Sequence, residues 1–360
     1  MRIFIFLILF VVSGFANKYS KVELEKMIAK MVVLGFYGTN VDENSQIAKD
    51  IKSGLGGVVL FDLNPTNKEK AKNIESREQL RKLNETLQSF RTEKLLISID
   101  QEGGAVQRVK PKYGFTNTLS ANEIAKKGDE FARSSYDTLA KELKYAGINL
   151  NFAPSVDISI NPKNSVVVTR GRSFSKDEKI VTKYAKIFIE QMNEEGILTS
   201  LKHFPGHGSS LADSHNGFVD ISNTWSQIEL EPYKNLIKSK SVDLIMTAHV
   251  FNKNIDSKYP ATLSYATNSK LLREKLGFDG VLITDDLQMS AITKHYDLKQ
   301  TVSLAINSGV NILLFANQLA KPLSLKEIVD TVYKELENGN IKIERIIDSN
   351  KKIDKLLEKI

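Results

Sequence analysis

GVLITDDLQMSAITKHYDLKQTVSLAINSGVNILLFAN, residues 280–317, contains one complete strand–helix–strand unit. The segments 280–285 and 310–317 are short apolar runs rich in β-branched and aliphatic residues, and each run ends in polar residues. Between them, residues 287–307 carry apolar side chains at helical spacing. Because the two runs are continuous rather than alternating, they are typical of parallel strands that helices cover on both faces. The unit therefore predicts a parallel α/β fold.

The same unit recurs along the chain. Apolar runs of this kind lie at residues 31–38, 57–62, 95–100, 148–154, 199–203, 244–249, 280–285 and 310–317. Helical patterns lie at residues 21–31, 120–145, 177–195, 287–307, 325–336 and 343–357. Eight successive units predict a single (β/α)₈ TIM barrel over residues 17–360, closed by a C-terminal helix. An open doubly wound sheet is the alternative, but it would normally carry a Gly-rich phosphate turn, and the chain has no G-x-G-x-x-G motif.

Composition narrows the classes of function. The 360 residues are 41% hydrophobic, which is enough to build a core and excludes a disordered chain. The absence of cysteine excludes thiol catalysis, Cys-ligated zinc, iron–sulfur clusters and disulfides. The net charge of +7 arises from 50 basic and 43 acidic residues that interleave along the chain. Because nucleic-acid binders concentrate basic charge in a patch, we expect no nucleic-acid partner.

The first 16 residues resemble a secretory signal peptide. Arg2 precedes ten residues without a polar side chain, and the small residues Gly14 and Ala16 stand at the −3 and −1 positions of a cleavage site before Asn17. An uncleaved anchor is the alternative, but the segment 3–16 is shorter than the roughly 20 residues that span a bilayer. We expect a periplasmic or secreted protein that is not inserted in a membrane once residues 1–16 are removed.

A barrel builds its active site at the carboxyl ends of its strands, so polar residues should gather there. Seven polar residues fall at or just after the ends of the apolar runs: Asp100, Asp157, Lys202, His203, His249, Asp285 and Asn317. Ionisable side chains in this number are too many for a packed core. They predict a functional site at the barrel mouth.

The segment KHFPGHG at 202–208, followed by DSH at 213–215, holds three of the five histidines. One hypothesis is a metal site formed by His203, His207, Asp213 and His215. Pro205 excludes a helical histidine pair, and no other segment clearly completes a ligand shell, so we expect no metal and no cofactor. The favoured hypothesis is acid–base chemistry, because Asp213 can orient His215 and favour its charged form.

Two further segments carry candidate functional residues. In VLITDDL, residues 281–287, Asp285 ends the apolar run and is a candidate nucleophile. Adjacent strand residues point to opposite faces, so we expect only one carboxylate to face the mouth and Asp286 to cap the next helix.

DQEGGAVQR, residues 100–108, places a carboxylate and an arginine on either side of two glycines. Asp100 and Arg108 could hold a polyhydroxylated ligand, since the carboxylate accepts hydrogen bonds from hydroxyls and the guanidinium donates them. Glu102 is an alternative catalytic acid, and Arg172 is a further possible donor. Trp225 and Tyr37 are candidates for a sugar platform, although aromatic residues in barrels more often pack in the core.

Five motifs in order resemble family 3 glycoside hydrolases, and most closely the bacterial β-N-acetylglucosaminidase (β-N-acetylhexosaminidase) branch. They are IDQEGGxVxR, NFAPxxD, GRSF, KHFPGHGx₄DSH and TDDLxM, and the similarity runs from about residue 25 to about residue 335. The resemblance implies a retaining glycosidase with Asp285 as nucleophile, His215 as general acid/base and Asp213 as the residue that orients and charges His215. It also implies the following substrate-binding residues: Asp100, Arg108, Arg172, Lys202 and His203.

The implied substrate is a non-reducing β-linked N-acetylglucosamine in peptidoglycan muropeptides or chitooligosaccharide fragments. Two alternatives remain, namely a family 3 β-glucosidase or other exo-β-glycosidase, and a non-catalytic sugar-binding barrel. The chain departs from the family pattern in its export signal, since related Gram-negative enzymes are often cytosolic. We also expect no second domain, because the barrel accounts for the residues after the signal.

Overall fold

The structure is a computed structural model that describes residues 19–67, 69–211, 219–318 and 320–360. The expected signal peptide and two of the candidate catalytic residues, Asp213 and His215, lie outside the described residues.

Eight parallel strands among the described residues form one sheet. They are β1 (Val32–Gly35), β2 (Gly57–Leu60), β3 (Leu96–Ile99), β4 (Leu150–Asn151), β5 (Leu198–Phe204), β6 (Leu244–Thr247), β7 (Val281–Ile283) and β8 (Leu313–Phe315). The strand order is β8-β1-β2-β3-β4-β5-β6-β7. A parallel bridge between Ile283 and Ile312 joins the two outer strands, so that the sheet is a nearly closed barrel. The predicted α/β barrel is confirmed, and each of the eight predicted runs overlaps one of its strands.

Helices follow most of the strands. They are α1 (Lys21–Lys30), α2 (Gln46–Lys52), α3 (Arg77–Ser89), α4 (Ala121–Lys127), α5 (Asp129–Tyr145), α6 (Glu178–Glu194), α7 (Glu231–Lys238), α8 (Ser290–Thr293), α9 (Leu298–Ser308), α10 (Leu325–Glu337) and α11 (Ile343–Leu357). A π-helix, Ala266–Lys275, follows β6, and 3₁₀ turns occur at Pro111–Tyr113, Gln227–Leu230 and Ala261–Leu263. A short strand pair, Val219–Asp220 with Val250–Phe251, lies outside the barrel. The helix α11 confirms the predicted closing helix.

Two predicted helical stretches are interrupted. Residues 120–145 form two helices because Gly128 adopts a φ of 93° between α4 and α5. Residues 287–307 contain α8 and α9 rather than one helix. The second of these starts at its own capping box, in which the Asp297 side chain accepts the backbone N–H of Gln300 and the Gln300 side chain accepts that of Asp297.

The core lies between the strands and the inner faces of the helices. Every residue of β1, β2 and β3 is buried, and α6 buries a stripe that includes Val181, Phe188 and Met192. Burying a side chain of this size stabilises the fold by about 1.5–3 kcal/mol. No helix among the described residues is long and apolar enough to cross a bilayer.

The first and last strands meet closely. A Cβ at Gly35 would lie 1.8 Å from the carbonyl oxygen of Ala316, so only glycine allows this approach of β1 to β8. The side-chain amide of Asn317 donates to the carbonyl of Gly35 at 2.9 Å and its oxygen accepts the N–H of Leu323 at 3.0 Å. Asn317 therefore ties the end of β8 both to β1 and to the segment before α10.

Candidate active site

A cavity of about 360 Å³ opens at the carboxyl ends of the strands. Its lining includes the candidate nucleophile and all the candidate substrate-binding residues, namely Asp100, Arg108, Arg172, Lys202, His203 and Asp285. Three other polar residues that were expected at the mouth do not line it, namely Asp157, His249 and Asn317. They come from different parts of the chain because parallel strands place their carboxyl ends at one edge. Asp100 directly follows β3, Lys202 and His203 lie within β5, and Asp285 lies two residues beyond β7. The prediction of a polar barrel mouth is confirmed in this respect.

A cluster of buried charges forms one wall of the cavity. The ammonium of Lys202 lies 2.8 Å from Oδ1 of Asp100 and 2.7 Å from Oε1 of Glu102. Arg172 donates to both oxygens of Glu102, from Nε at 2.9 Å and from Nη2 at 2.7 Å. Arg108 approaches the other oxygen of Asp100 at 3.7 Å. Cations and carboxylates thus alternate across the wall, and the order is Arg172, Glu102, Lys202, Asp100 and Arg108.

Mutual pairing keeps these groups ionised. Burial disfavours the charged form of Glu102, but Arg172 and Lys202 outweigh burial and hold the pKa of Glu102 well below its usual range. Burial likewise opposes the charge on Lys202, and the carboxylates of Asp100 and Glu102 outweigh it and raise the pKa of Lys202. The ion pairs therefore favour the ionised form of Glu102. Glu102 is the counter-ion of two buried cations, and this role disfavours the alternative that it is the catalytic acid.

His203 is held by a buried carboxylate that follows β4. Nδ1 of His203 lies 2.6 Å from Oδ2 of Asp157, and Nε2 lies 3.2 Å from Nη2 of Arg172. Burial opposes the charge on Asp157, but the imidazole of His203 outweighs it and lowers the pKa of Asp157. Because a carboxylate accepts and a guanidinium donates, the contacts fit an imidazole with its hydrogen on Nδ1. Asp157 thereby fixes the ring orientation at the cavity wall.

The candidate nucleophile lies in a tight turn. The backbone N–H of Asp286 donates to Oδ1 of Asp285 at 2.8 Å. Oδ1 of Asp286 accepts the N–H of Gln288 at 3.1 Å and that of Ala316 at 3.0 Å, and burial raises the pKa of Asp286 to about 6.

One expectation about this turn is wrong. Asp286 belongs to the lining of the cavity, but its Oδ1 is directed to backbone N–H groups. Asp286 does not cap a helix, since α8 begins at Ser290. Its side chain instead ties the turn to the end of β8.

The segment after β5 is anchored on three sides. The backbone N–H of His207 donates to Oδ1 of Asp157 at 2.8 Å, and that of Gly208 donates to Oε2 of Glu229 at 3.0 Å. Asn164 donates to the carbonyl of His207 at 2.8 Å. A Cβ at Gly208 would lie 1.8 Å from the carbonyl oxygen of Ile158, so the backbone passes where no side chain fits. These contacts fix the root of the segment that continues to Asp213 and His215.

Two buried residues that the sequence did not identify lie next to the site, namely Glu229 and Lys72. Glu229 is 1% exposed, and burial raises its pKa to about 7. Lys72 is also 1% exposed, and burial lowers its pKa to about 7. Its ammonium donates to the carbonyls of Ala316 and Asn317 at 3.0 and 2.8 Å, and to Oε1 of Gln318 at 2.8 Å. Neither residue ends a strand run, so no signal in the sequence pointed to it.

The two aromatic candidates do not line the cavity. Trp225 packs against the core and donates its indole N–H to the carbonyl of Pro205 at 3.0 Å. Tyr37 borders a different pocket and lies over the Lys72 ammonium, 4.8 Å from the ring centroid. The packing interpretation of Trp225 fits these contacts.

The described residues contain no group of three or more His, Asp or Glu side chains arranged to hold a metal ion. The cavity wall instead offers alternating donors and acceptors, and Asp285 borders the same space. Paired carboxylates and cations suit vicinal hydroxyl groups, which both donate and accept hydrogen bonds. The arrangement can therefore hold a sugar with a carboxylate close to it.

Comparison with known proteins agrees with this geometry. The model for "Glycosyl hydrolase family 3 N terminal domain" matches residues 23–356. "Beta-hexosaminidase A" from Pseudoalteromonas piscicida is 32% identical over 331 residues, which cover 85% of this chain and 54% of that relative. "Beta-hexosaminidase" from Hydrogenovibrio crunogenus is 31% identical over 339 residues, covering 90% of this chain and 89% of the relative.

A solved structure is similar over most of the chain. The glycoside hydrolase family 3 beta-N-acetylglucosaminidase from Paenibacillus sp. str. FPU-7 superposes with a TM-score of 0.83 at 31% identity. The match covers 93% of this chain and 62% of that structure. The chain thus spans about half the length of the Pseudoalteromonas relative and under two thirds of the Paenibacillus chain.

Proposed function

Because the chain belongs to glycosyl hydrolase family 3, we propose that it is an exported, retaining exo-β-N-acetylglucosaminidase. Its substrates would be peptidoglycan-derived or chitooligosaccharide fragments with a non-reducing β-linked N-acetylglucosamine. One observation carries the proposal: Asp285 borders the same cavity as the charged wall built from Asp100, Lys202 and Arg172. The names of the relatives support the choice of sugar.

In the first step, the Asp285 carboxylate attacks the anomeric carbon and the bond from that carbon to the leaving oxygen breaks. The leaving oxygen takes a proton from the His215 imidazolium, which becomes neutral. The turn supports the role of Asp285, since the Asp286 N–H holds Oδ1 and thereby orients the carboxylate.

In the second step, water attacks the anomeric carbon of the glycosyl–aspartate and gives its proton to neutral His215. The bond to Asp285 breaks, and both side chains return to their starting states. Two displacements at one carbon leave the β configuration unchanged. Asp213 would orient His215 and favour its charged form in each cycle.

The charged wall would bind the terminal sugar. Carboxylate oxygens of Asp100 accept from hydroxyls, whereas Lys202, Arg172 and Arg108 donate to oxygen atoms of the ring substituents. Because Lys202 and Arg172 are locked to Glu102, their donor positions are set before the substrate arrives. His203, fixed by Asp157, would add a further polar contact.

The proposal includes export of the barrel domain, residues 17–360, after removal of residues 1–16. The pattern of Arg2, the apolar segment and Ala16 supports it. N-terminal sequencing of protein collected outside the cytoplasm should begin at Asn17. Recovery of that material with Met1 retained would contradict the cleavage.

The activity is tested with 4-nitrophenyl β-N-acetylglucosaminide and the corresponding β-glucoside. We expect turnover of the first to exceed that of the second, and Asp285→Ala to lower kcat by about a thousandfold or more. Proton NMR of the first product formed should show the β anomer. A preference for the glucoside would favour the β-glucosidase alternative, and binding without turnover would favour a sugar-binding barrel.

A matched control is Asp279→Ala. Asp279 lies just before β7, at the opposite end of the strand from Asp285, and its side chain is 87% exposed. This variant should keep the activity of the wild type. Equal loss in both variants would show that the effect of Asp285→Ala is not specific to the site.

A further inference from the structure

The rim of the cavity carries positive charge. Among the cationic residues that line the cavity, three are not buried, and we call them the rim: Arg108, Lys110 and Arg170. Lys110 is an ion-pair partner of Asp62, and Arg108 lies 3.7 Å from Asp100. Arg170, by contrast, is exposed and forms no ion pair with any residue that the structure describes. The rim therefore presents a guanidinium that forms no ion pair within the described part of the chain.

The segment that carries Arg170 is held in place. The N–H of Gly171 donates to the carbonyl of Val168 at 3.0 Å, and the N–H of Arg172 donates to the carbonyl of Val167 at 3.0 Å. Gly171 has a φ of 67°, and a Cβ there would lie 2.9 Å from Oγ of Ser120. The turn thus places Arg172 in the buried wall and Arg170 at the entrance, two residues apart.

We propose that Arg170 binds a carboxylate on the sugar that follows the cleaved bond, so that the protein prefers acidic over neutral leaving groups. The inference rests on the proposed function. If an exo-enzyme holds the terminal sugar against the wall of Lys202 and Arg172, the next sugar lies at the rim. A guanidinium there binds a carboxylate through two parallel hydrogen bonds.

The charges around the rim favour this ligand over a neutral one. Asp62, which also lines the cavity, is 4% exposed and lies against Lys110. Asp100 is shared between Lys202 and Arg108. Both carboxylates are thus neutralised by cations, whereas no carboxylate among the described residues pairs with Arg170. Of the substrates proposed above, peptidoglycan fragments without a stem peptide carry a free carboxylate on the second sugar, whereas chitooligosaccharides carry none.

The test compares two substrates that differ only in that charge. They are the disaccharide N-acetylglucosaminyl-β-1,4-N-acetylmuramic acid and its methyl ester. We expect wild-type kcat/KM to be about tenfold higher for the acid. Arg170→Gln should bring the ratio of acid to ester close to one, and Arg170→Lys should restore part of it. A raised salt concentration should reduce the wild-type ratio, since the rim is exposed.

Lys163→Gln is the matched control, because Lys163 is an exposed cation on the same segment that does not line the cavity. It should keep the wild-type ratio. A ratio near one in the wild type, or an undiminished ratio in Arg170→Gln, would overturn the proposal.

A second readout separates this inference from the proposed function. Calorimetric binding of the acid and the ester to Asp285→Ala measures the same preference without turnover. If the wild type hydrolyses neither disaccharide but Asp285→Ala binds the acid about tenfold more tightly, the activity is wrong and the role of Arg170 stands. If both are hydrolysed equally and bind equally, the activity stands and the role of Arg170 is wrong.

Discussion

Replacing Glu102 with glutamine removes one negative charge from the buried wall without changing the size of the side chain. Glu102 is 5% exposed and is the counter-ion of Arg172 and Lys202. The glutamine would leave two buried cations to share the remaining carboxylates. The change therefore tests whether the wall is held together by charge pairing.

The contacts fix the expected size of the loss. Removing one partner of a buried pair costs about 3–5 kcal/mol, because the remaining charge is left without compensation. Lys202 keeps Asp100 at 2.8 Å, so the uncompensated charge is mainly that of Arg172. We therefore expect the free energy of unfolding to fall by about 3 kcal/mol, the lower end of that range.

The difference in the free energy of unfolding between wild type and Glu102→Gln should depend on pH. Because the pKa of Glu102 is held below its usual range in the folded protein, its contribution is present above the unfolded pKa of about 4.3. That contribution is lost as the pH falls below this value. The wild type should therefore exceed Glu102→Gln in free energy of unfolding by the whole amount at pH 7, and this difference should become smaller below about pH 4.

Urea unfolding followed by fluorescence provides the assay, since Trp225 is the single tryptophan of the chain. Glu335→Gln is the control. Glu335 is 7% exposed and accepts from neutral donors, Asn340 at 2.8 Å and Ser303 at 3.4 Å, so its replacement should cost only about 1 kcal/mol. Equal losses in the two variants at pH 7 would refute the argument from charge pairing.

Three further variants test the contacts behind the site. Gly208→Ala should lower the free energy of unfolding by at least about 3 kcal/mol, because its Cβ would lie 1.8 Å from the carbonyl oxygen of Ile158. Gly277→Ala, with a φ of 74° but no atom within 4 Å of the added Cβ, should cost about 1–2 kcal/mol in the same urea assay, and an equal loss would contradict the steric reason. Burial raises the pKa of Glu229 to about 7. Its contribution to the free energy of unfolding is therefore greatest below about pH 4.3 and is lost as the pH rises through 7. Glu229→Gln should accordingly gain stability relative to wild type between pH 5 and pH 8, and a constant difference would argue against titration of this carboxyl. Burial lowers the pKa of Lys72 to about 7, so its contribution is greatest above about pH 10.4 and is lost as the pH falls to 7. The wild type should therefore gain stability relative to Lys72→Met between pH 7 and pH 9, and no gain in paired urea titrations would show that Lys72 stays charged throughout.

Much of the barrel was predictable because its signals are local. A strand buried on both faces needs a continuous apolar run, and all eight runs could be read without knowing their neighbours. Polar residues at the strand ends then followed from the parallel arrangement. The sequence also contains a local signal for the break between α8 and α9, namely the capping box that starts at Asp297. The apolar spacing across residues 287–307 nevertheless suggested one continuous helix.

The partners within the site could not be predicted in the same way. Arg172 and Glu102 lie 70 positions apart, and which carboxylate meets which cation depends on how the loops close over the barrel. The roles of Lys72 and Glu229 depend on burial, which a polar residue outside a periodic segment does not reveal. Asp286 was misassigned because the strand ends earlier than its apolar run suggests.

The meeting of the first and last strands has a consequence for the order of events during biosynthesis. The hydrogen bond from Asn317 to Gly35 joins residues 282 positions apart, and β1 has its second neighbour only in β8. While the ribosome adds the intervening units, β1 remains an unpaired edge, which favours pairing with other chains. Contacts of such long sequence separation also form slowly. The nascent chain therefore cannot complete its barrel until residues 313–317 emerge.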